Sequence, residues 1–206
     1  MLVLLSLTLF TSAFLLFCCE PMVGKMVLPI LGGAASVWTT CVLFFQSMLL
    51  LGYVYTHGLG KLKRVRDQIL IHVALMLVAV AFLPIRFGSD WGQPSEAPVT
   101  WLLVHLFLAV GVPFAVMSAT APLLQNWLAK TSLVSGRDPY FLYAISNAGS
   151  LLALLAYPVW IEPRWGVSGQ SRLWLEGYAG FQIGRAHGCT PVTFRNLVCR
   201  LLLEKK

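Results

Sequence analysis

Charge is what this sequence has least of. Asp, Glu, Lys and Arg make up only 11% of it, against roughly 25% in ordinary soluble domains. Hydrophobic residues make up 58%, and mean hydropathy is +0.77. A soluble domain of 206 residues could not hide that much apolar surface, so a bilayer has to act as solvent for several segments. Paired cysteines are lacking as well. The five cysteines form no CxxC pair, no Cys/His spacing for zinc and no secreted disulfide pattern. Cys18, Cys19 and Cys41 lie in or beside apolar runs, where a reactive thiolate finds no support, and are expected to be inert buried thiols. No GxGxxG-type turn and no paired carboxylates on a strand-helix unit occur, which leaves out a Rossmann-type nucleotide site. A Ser/His/Asp or Cys/His constellation cannot be assembled without mixing membrane residues with tail residues. No catalytic, cofactor-binding or metal-ligating residue is therefore expected in this chain.

The net charge of +7 looks at first like an affinity for nucleic acid, but its location says otherwise. Residues 183–206 carry Arg185, Arg195, Arg200, Lys205 and Lys206 against Glu204. The rest of the chain has ten basic and seven acidic residues, an ordinary balance for a membrane protein with basic cytoplasmic loops.

What is present is a series of apolar runs, which predict an all-α integral membrane protein of about five transmembrane helices plus a truncated sixth. The spans are expected at residues 2–19, 38–57, 69–84, 99–119 and 140–161, with a sixth opening at 171–180. Residues 1–182 form the multi-pass region. The first run has no basic region before it and no A-x-A site after it, so it reads as an uncleaved span and not a signal peptide. Lys61, Lys63, Arg64 and Arg66 against Asp67 place loop 58–68 in the cytoplasm, and loop 120–139 shares that side. Loops 20–37, 85–98 and 162–172 face out, which suits a plasma (inner) membrane protein. Gly111 and Pro113 predict a kink in the fourth span. Residues 121–131 are expected to lie as an amphipathic helix in the cytoplasmic interface, with Leu123, Leu124, Trp127 and Leu128 on one face.

Three polar positions within this apolar frame are candidates for function. Pro29 and the Gly32-Gly33 pair suggest a short re-entrant or interfacial link over residues 20–37. There Glu20 and Lys25 either sit in interfacial water or form a coupled ion pair inside the membrane, the latter marking a functional site. Asn147 is the one strongly polar residue of the uncharged run 140–161. Its amide needs a partner, either another helix or a substrate. Small residues at helical spacing around it (Ala144 with Ala148, Ser146 with Ser150, Gly149 with Ala153) let a neighbouring helix approach closely. His72 reads as a hydrogen-bonded histidine in preference to a ligand or proton relay. Expected partners are the lipid bilayer and a helix partner or second copy, with no nucleic acid.

Three segments carry a resemblance. EPMVGKMVLPILGG at 20–33 with VW at 37–38, SATAPLLQNW at 118–127, and RDPYFLYAISNAGSLLALLAYPVWIEP at 137–163 with QSRLW at 170–174 resemble a bacterial family of multi-pass proteins related to spermidine synthase. In that family membrane helices precede an aminopropyltransferase-like domain. The resemblance implies the membrane region of a spermidine synthase-like, polyamine-related protein, without its catalytic domain, and carries over no catalytic residue. The tail is different: IGRAHGCTPVT at 183–193, followed by RNLVCRLLLEKK, resembles a translated sequencing adapter, which implies an artefactual segment from about residue 183 and a fragment of a longer protein. Two other readings remain open. A multi-pass transporter or permease component fits the broken, polar segments at 20–33 and 111–113. A non-catalytic scaffold that anchors a partner fits equally well.

Overall fold

The computed structural model describes residues 2–87, 97–129 and 140–188. Among them every regular element is helical: α1 (Leu2–Leu31), α2 (Ala35–Gly60), α3 (Val65–Val80), α4 (Pro98–Leu106), α5 (Val112–Ala129), α6 (Tyr140–Ala156), the single turn α7 (Glu162–Arg164) and α8 (Val167–Gly188). Among the described residues four stretches are long and apolar enough to cross a membrane: Leu5–Leu31, Ala35–Gly60, Pro98–Trp127 and Tyr140–Arg164.

The first expected boundary is corrected. Instead of a span at 2–19 and a broken link at 20–37, α1 runs unbroken for 30 residues, about 45 Å, through Pro21 and Pro29. Proline removes one N–H and crowds the carbonyl four residues back, but packing on both sides of α1 holds the rod together. Leu9, Leu15, Leu16, Cys19, Met22, Val23, Met26 and Val27 are all buried, so this helix is the axis of the bundle. It ends where the glycine pair says it should. Gly32 takes a left-handed φ of 74° and its N–H donates to Leu28 O at 2.9 Å, the helix-terminating geometry that glycine adopts without a Cβ clash.

Contacts between helices fix their directions. Gly149 of α6 meets Phe10 and Ala13 of α1, and Glu162 meets Lys25, so α1 and α6 run parallel. Gly52 meets Ala115 and Ser118, and Phe45 packs on Phe114 at 4.8 Å, so α2 and α5 also run parallel. His72 reaches Thr120 and Gln68 reaches Trp127, so α3 opposes α5. On α8, Ser171 donates to Ile85 O, Trp174 to Leu15 O and Tyr178 to Met76 O, which makes α8 antiparallel to both α1 and α3. The chain thus makes six passes in alternating directions, of which α3 (16 residues, about 24 Å) and α8 lie outside the four candidate spans.

Further expectations need revision. The sixth helix does not stop at residue 180. It starts at Val167, continues to Gly188, and buries Gln170, Ser171, Trp174, Tyr178 and Phe181 along one face. The third span begins earlier and ends earlier than 69–84. Residues 121–129 are no separate interfacial helix. They continue α5, with Leu123, Leu124 and Trp127 buried against α3 and α2. Most of loop 85–98 and residues 130–139 fall outside the described part, as do residues 189–206 of the expected tail.

The kink in the fourth pass takes the form of a wide π turn, Phe107–Gly111, which ends two residues before Pro113. A second π turn, Tyr157–Ile161, contains Pro158. Each lets the helix absorb a proline whose ring cannot fit the regular i−4 register.

Candidate functional site: a cationic corner at one end of the bundle

Of the three polar positions read from the sequence, Lys25 is the one the fold places in a site. Along an α-helix only residues three or four apart face each other, and five residues at about 100° each put Glu20 and Lys25 on different faces. Their coupled pair therefore does not form. Lys25 Nζ instead forms an ion pair with Glu162 Oε1, from the opposite end of the sequence, because parallel α1 and α6 bring their C-terminal ends together. Both side chains keep 36% of their surface accessible, so this pair is only partly desolvated. Glu20 is half-buried and forms no ion pair with another described residue.

A hydrogen-bonded corner positions Glu162 and the start of α8. Tyr157 Oη donates to Gln170 Oε1 at 2.7 Å, and Gln170 Nε2 donates to Trp165 O at 2.7 Å. Gln170 is buried, so both halves of its amide are matched where water cannot serve. Its backbone N–H donates to Gly166 O, which makes Gly166 the N-cap of α8. Ser171, also buried, donates to Ile85 O at 2.6 Å and ties the segment after α3 to this corner.

Two cavities flank the ion pair. The larger, about 590 Å³, lies between α1, residues 84–87 and the first turn of α8. Lys25, Arg86 and Arg172 line it together with Ser168 and Ser171, and apolar wall comes from Met26 and Phe87. Among the described residues no carboxylate lines it. The smaller, about 400 Å³, shares Lys25 and adds Glu162, Trp38, Tyr157 and Pro158. The pair therefore stands at the partition between a cationic cavity and a mostly apolar one.

Asn147 is elsewhere. It lies on the exposed face of α6, next to exposed Tyr143, Leu151 and Leu154, while Leu142, Gly149 and Ala153 turn inward. Of the small pairs, Gly149 with Ala153 is the one that is buried, and Gly149 meets α1.

A second polar cluster was missed by reading for single residues. His72 Nε2 lies 3.2 Å from Thr120 Oγ1 and its Nδ1 lies 3.4 Å from Tyr55 Oη. Trp127 Nε1 donates to Gln68 Oε1 at 2.7 Å, and Gln68 Nε2 donates to Leu62 O at 2.7 Å. Gln68 with His72, and Thr120 with Trp127, recur at helical spacing on α3 and α5, a pattern legible once both are known to be neighbours. As expected, His72 is hydrogen-bonded, although deep in the bundle and not at its surface. Cys18, Cys19 and Cys41 are free and buried. Among the described residues no group of three or more His, Cys, Asp or Glu converges on a metal position.

Among the described residues, fold and site together define a helical bundle with several helices of membrane-crossing length and a cationic cavity at one end. No protein-family model, no curated protein and no solved structure matches it.

Proposed function

We propose that the chain is an integral membrane protein, the membrane module of a spermidine synthase-like protein, and that it is not catalytic by itself. The observation that carries the membrane reading is the outer surface of the bundle. Leu43, Leu50 and Val54 on α2, Leu77 on α3, Leu108 after α4, and Leu151, Leu155 and Val159 on the α6 pass are all at least half exposed. Apolar residues in such numbers on a continuous exterior need hydrocarbon around them. With the basic cluster of loop 58–68 inside, alternating helix directions support that loop and loop 120–139, whose first ten residues continue α5, on the cytoplasmic side of the plasma (inner) membrane and the Lys25–Glu162 corner on the other.

The family part of the reading rests on the three resembling segments, two of which supply the residues of the corner: Lys25 from the first, and Tyr157, Glu162 and Gln170 from the third. Two assays test its two halves. Alkaline carbonate washing of membranes should leave the chain in the pellet; release into the supernatant contradicts membrane integration. The full-length gene, expressed and purified, should release methylthioadenosine in an aminopropyl-transfer assay, whereas its failure to do so removes the enzymatic inheritance.

One observation favours the transporter reading: a partly desolvated ion pair borders two cavities. Under that reading, deleting the intact gene abolishes uptake of a solute, and Lys25→Met fails to restore it.

A further inference from the structure

We infer that the larger cavity is a binding site for a phosphate-bearing ligand, with Arg86 and Arg172 as its principal cationic contacts. Three features converge there. First, the charge balance of the lining is one-sided. Glu162 matches Lys25, but Arg86 and Arg172 enter no ion pair with a described residue. Second, the cavity is built on the first turn of α8. The N–H groups of Val167, Ser168 and Gly169 have no acceptor within the helix, and 22 aligned peptide dipoles place positive potential at the same point. Ser168 and Arg172 stand four residues apart on α8, so a hydroxyl donor and a guanidinium fork share one face. Third, the cavity has shape and size. At about 590 Å³ it falls within the roughly 300–1,000 Å³ of small-molecule sites, larger than a bare phosphate needs, and its Met26, Phe87 and Val167 wall suits an organic substituent.

Basic side chains at a bundle end commonly just reach for lipid headgroups one at a time. These differ because residues from three separate parts of the chain line one concavity, and Ser171 is spent on holding two of those parts in register. The described lining carries cations and no carboxylate, the wrong chemistry for a polyamine or other organic cation, so the site is distinct from any amine-binding role of the family proposed above and stands or falls without it.

Two sources could supply the phosphate, a soluble organic phosphate or an anionic phospholipid headgroup, and one experiment separates them. The full chain is purified in an uncharged detergent and titrated calorimetrically with glycerol 3-phosphate. In parallel it is placed in nanodiscs of mixed phosphatidylglycerol and phosphatidylcholine, and retained lipid is identified by mass spectrometry. Saturable binding of the soluble probe, or selective retention of phosphatidylglycerol, is expected, and which of the two occurs names the source. Arg86→Gln and Arg172→Gln should each weaken it by about tenfold or more, the loss typical of a hydrogen bond to a charged group. Arg164→Gln, which removes a guanidinium held over the Trp160 ring outside the cavity, should leave it unchanged. Ser168→Glu separates binding from folding: a carboxylate in the first turn of α8 favours the helix, so the melting temperature should hold or rise while binding is lost. Absence of saturable binding in both formats overturns the inference. Binding that survives the Arg86→Gln/Arg172→Gln double substitution overturns it equally.

Discussion

Replacing Gly149 by alanine tests the packing of the two helices that form the frame of the site. A Cβ built there would lie 2.5 Å from Phe10 O and 3.2 Å from Phe10 C, both backbone atoms of α1, with Ala13 Cβ at 3.3 Å. Ordinary contact begins at 3.4 Å, so α1 and α6 would have to separate by about 0.9 Å at this point. A gap of that order forfeits a quarter to a half of the dispersion energy of the contacts it opens. Overpacking of this kind costs about 1–3 kcal/mol, and the gain in helix propensity from Gly to Ala returns at most about 1 kcal/mol. Subtracting that gain in full leaves a net loss of up to about 2 kcal/mol. Gly58 of α2 supplies the comparison, since a Cβ there meets nothing within 4 Å and only the propensity gain applies. Thermal unfolding in one detergent, followed by the near-ultraviolet signal, should rank Gly149→Ala below the parent and Gly58→Ala at or above it. If Gly149→Ala melts at or above the parent, α1 and α6 do not approach as described.

Three further outcomes are expected. Gly52→Ala should destabilise by about 1–3 kcal/mol, because its Cβ would collide with Ser118 Oγ and approach Ala115 O, and adding Ser118→Ala should recover part of the loss; purely additive melting shifts would contradict the contact. Gln68→Leu strips the acceptor from Trp127 Nε1 and the donor from Leu62 O in a buried setting, and should cost about 1–3 kcal/mol, seen as a lower melting temperature and a changed tryptophan emission. A double-mutant cycle on Lys25→Met and Glu162→Gln should give a coupling of about 1 kcal/mol or less, as suits a pair with a third of its surface accessible, and zero coupling would remove the pair.

How far residues alone lead can be judged from particular segments. Residues 38–57 and 140–161 announce themselves because an uncharged apolar run of that length has few alternatives, and the structure extends them only at the ends, as α2 and as α6 with its π turn. Gly149 and Ala153 were legible as a close-packing face for the same reason that makes them work there, the absence of bulk. The segment after Glu20 was misread because helix propensity was weighed without tertiary packing. Two prolines are a strong breaking signal in water, whereas in α1 the buried residues on either side outweigh them. Once the helix is continuous, Glu20 and Lys25 fall on different faces, so of the two readings the coupled pair is the one that does not form, and Lys25 finds Glu162 through a helix pairing that local spacing cannot reveal. The sixth pass is not legible as a continuous apolar run. Its signal is amphipathic, with Gln170, Ser171, Trp174, Tyr178 and Phe181 recurring on one face. In the 121–129 segment the period was read correctly and only the surroundings were wrong, since periodicity reports that a face is covered but not by what. The cationic cavity was invisible for a similar reason: Lys25, Arg86 and Arg172 are scattered along the chain and look like three unrelated loop charges until the helices are packed.

The most direct test of the central claim is the sidedness of two single cysteines, Lys63→Cys in the turn between α2 and α3 and Gly166→Cys at the N-cap of α8. Each is placed in the full chain with Cys189 and Cys199 changed to serine. A membrane-impermeant maleimide applied to intact cells should label Gly166→Cys, and should label Lys63→Cys only after the membrane is opened. Equal labelling of both in intact cells, or labelling of Lys63→Cys alone, would contradict a bundle that crosses the bilayer with its cationic corner facing out.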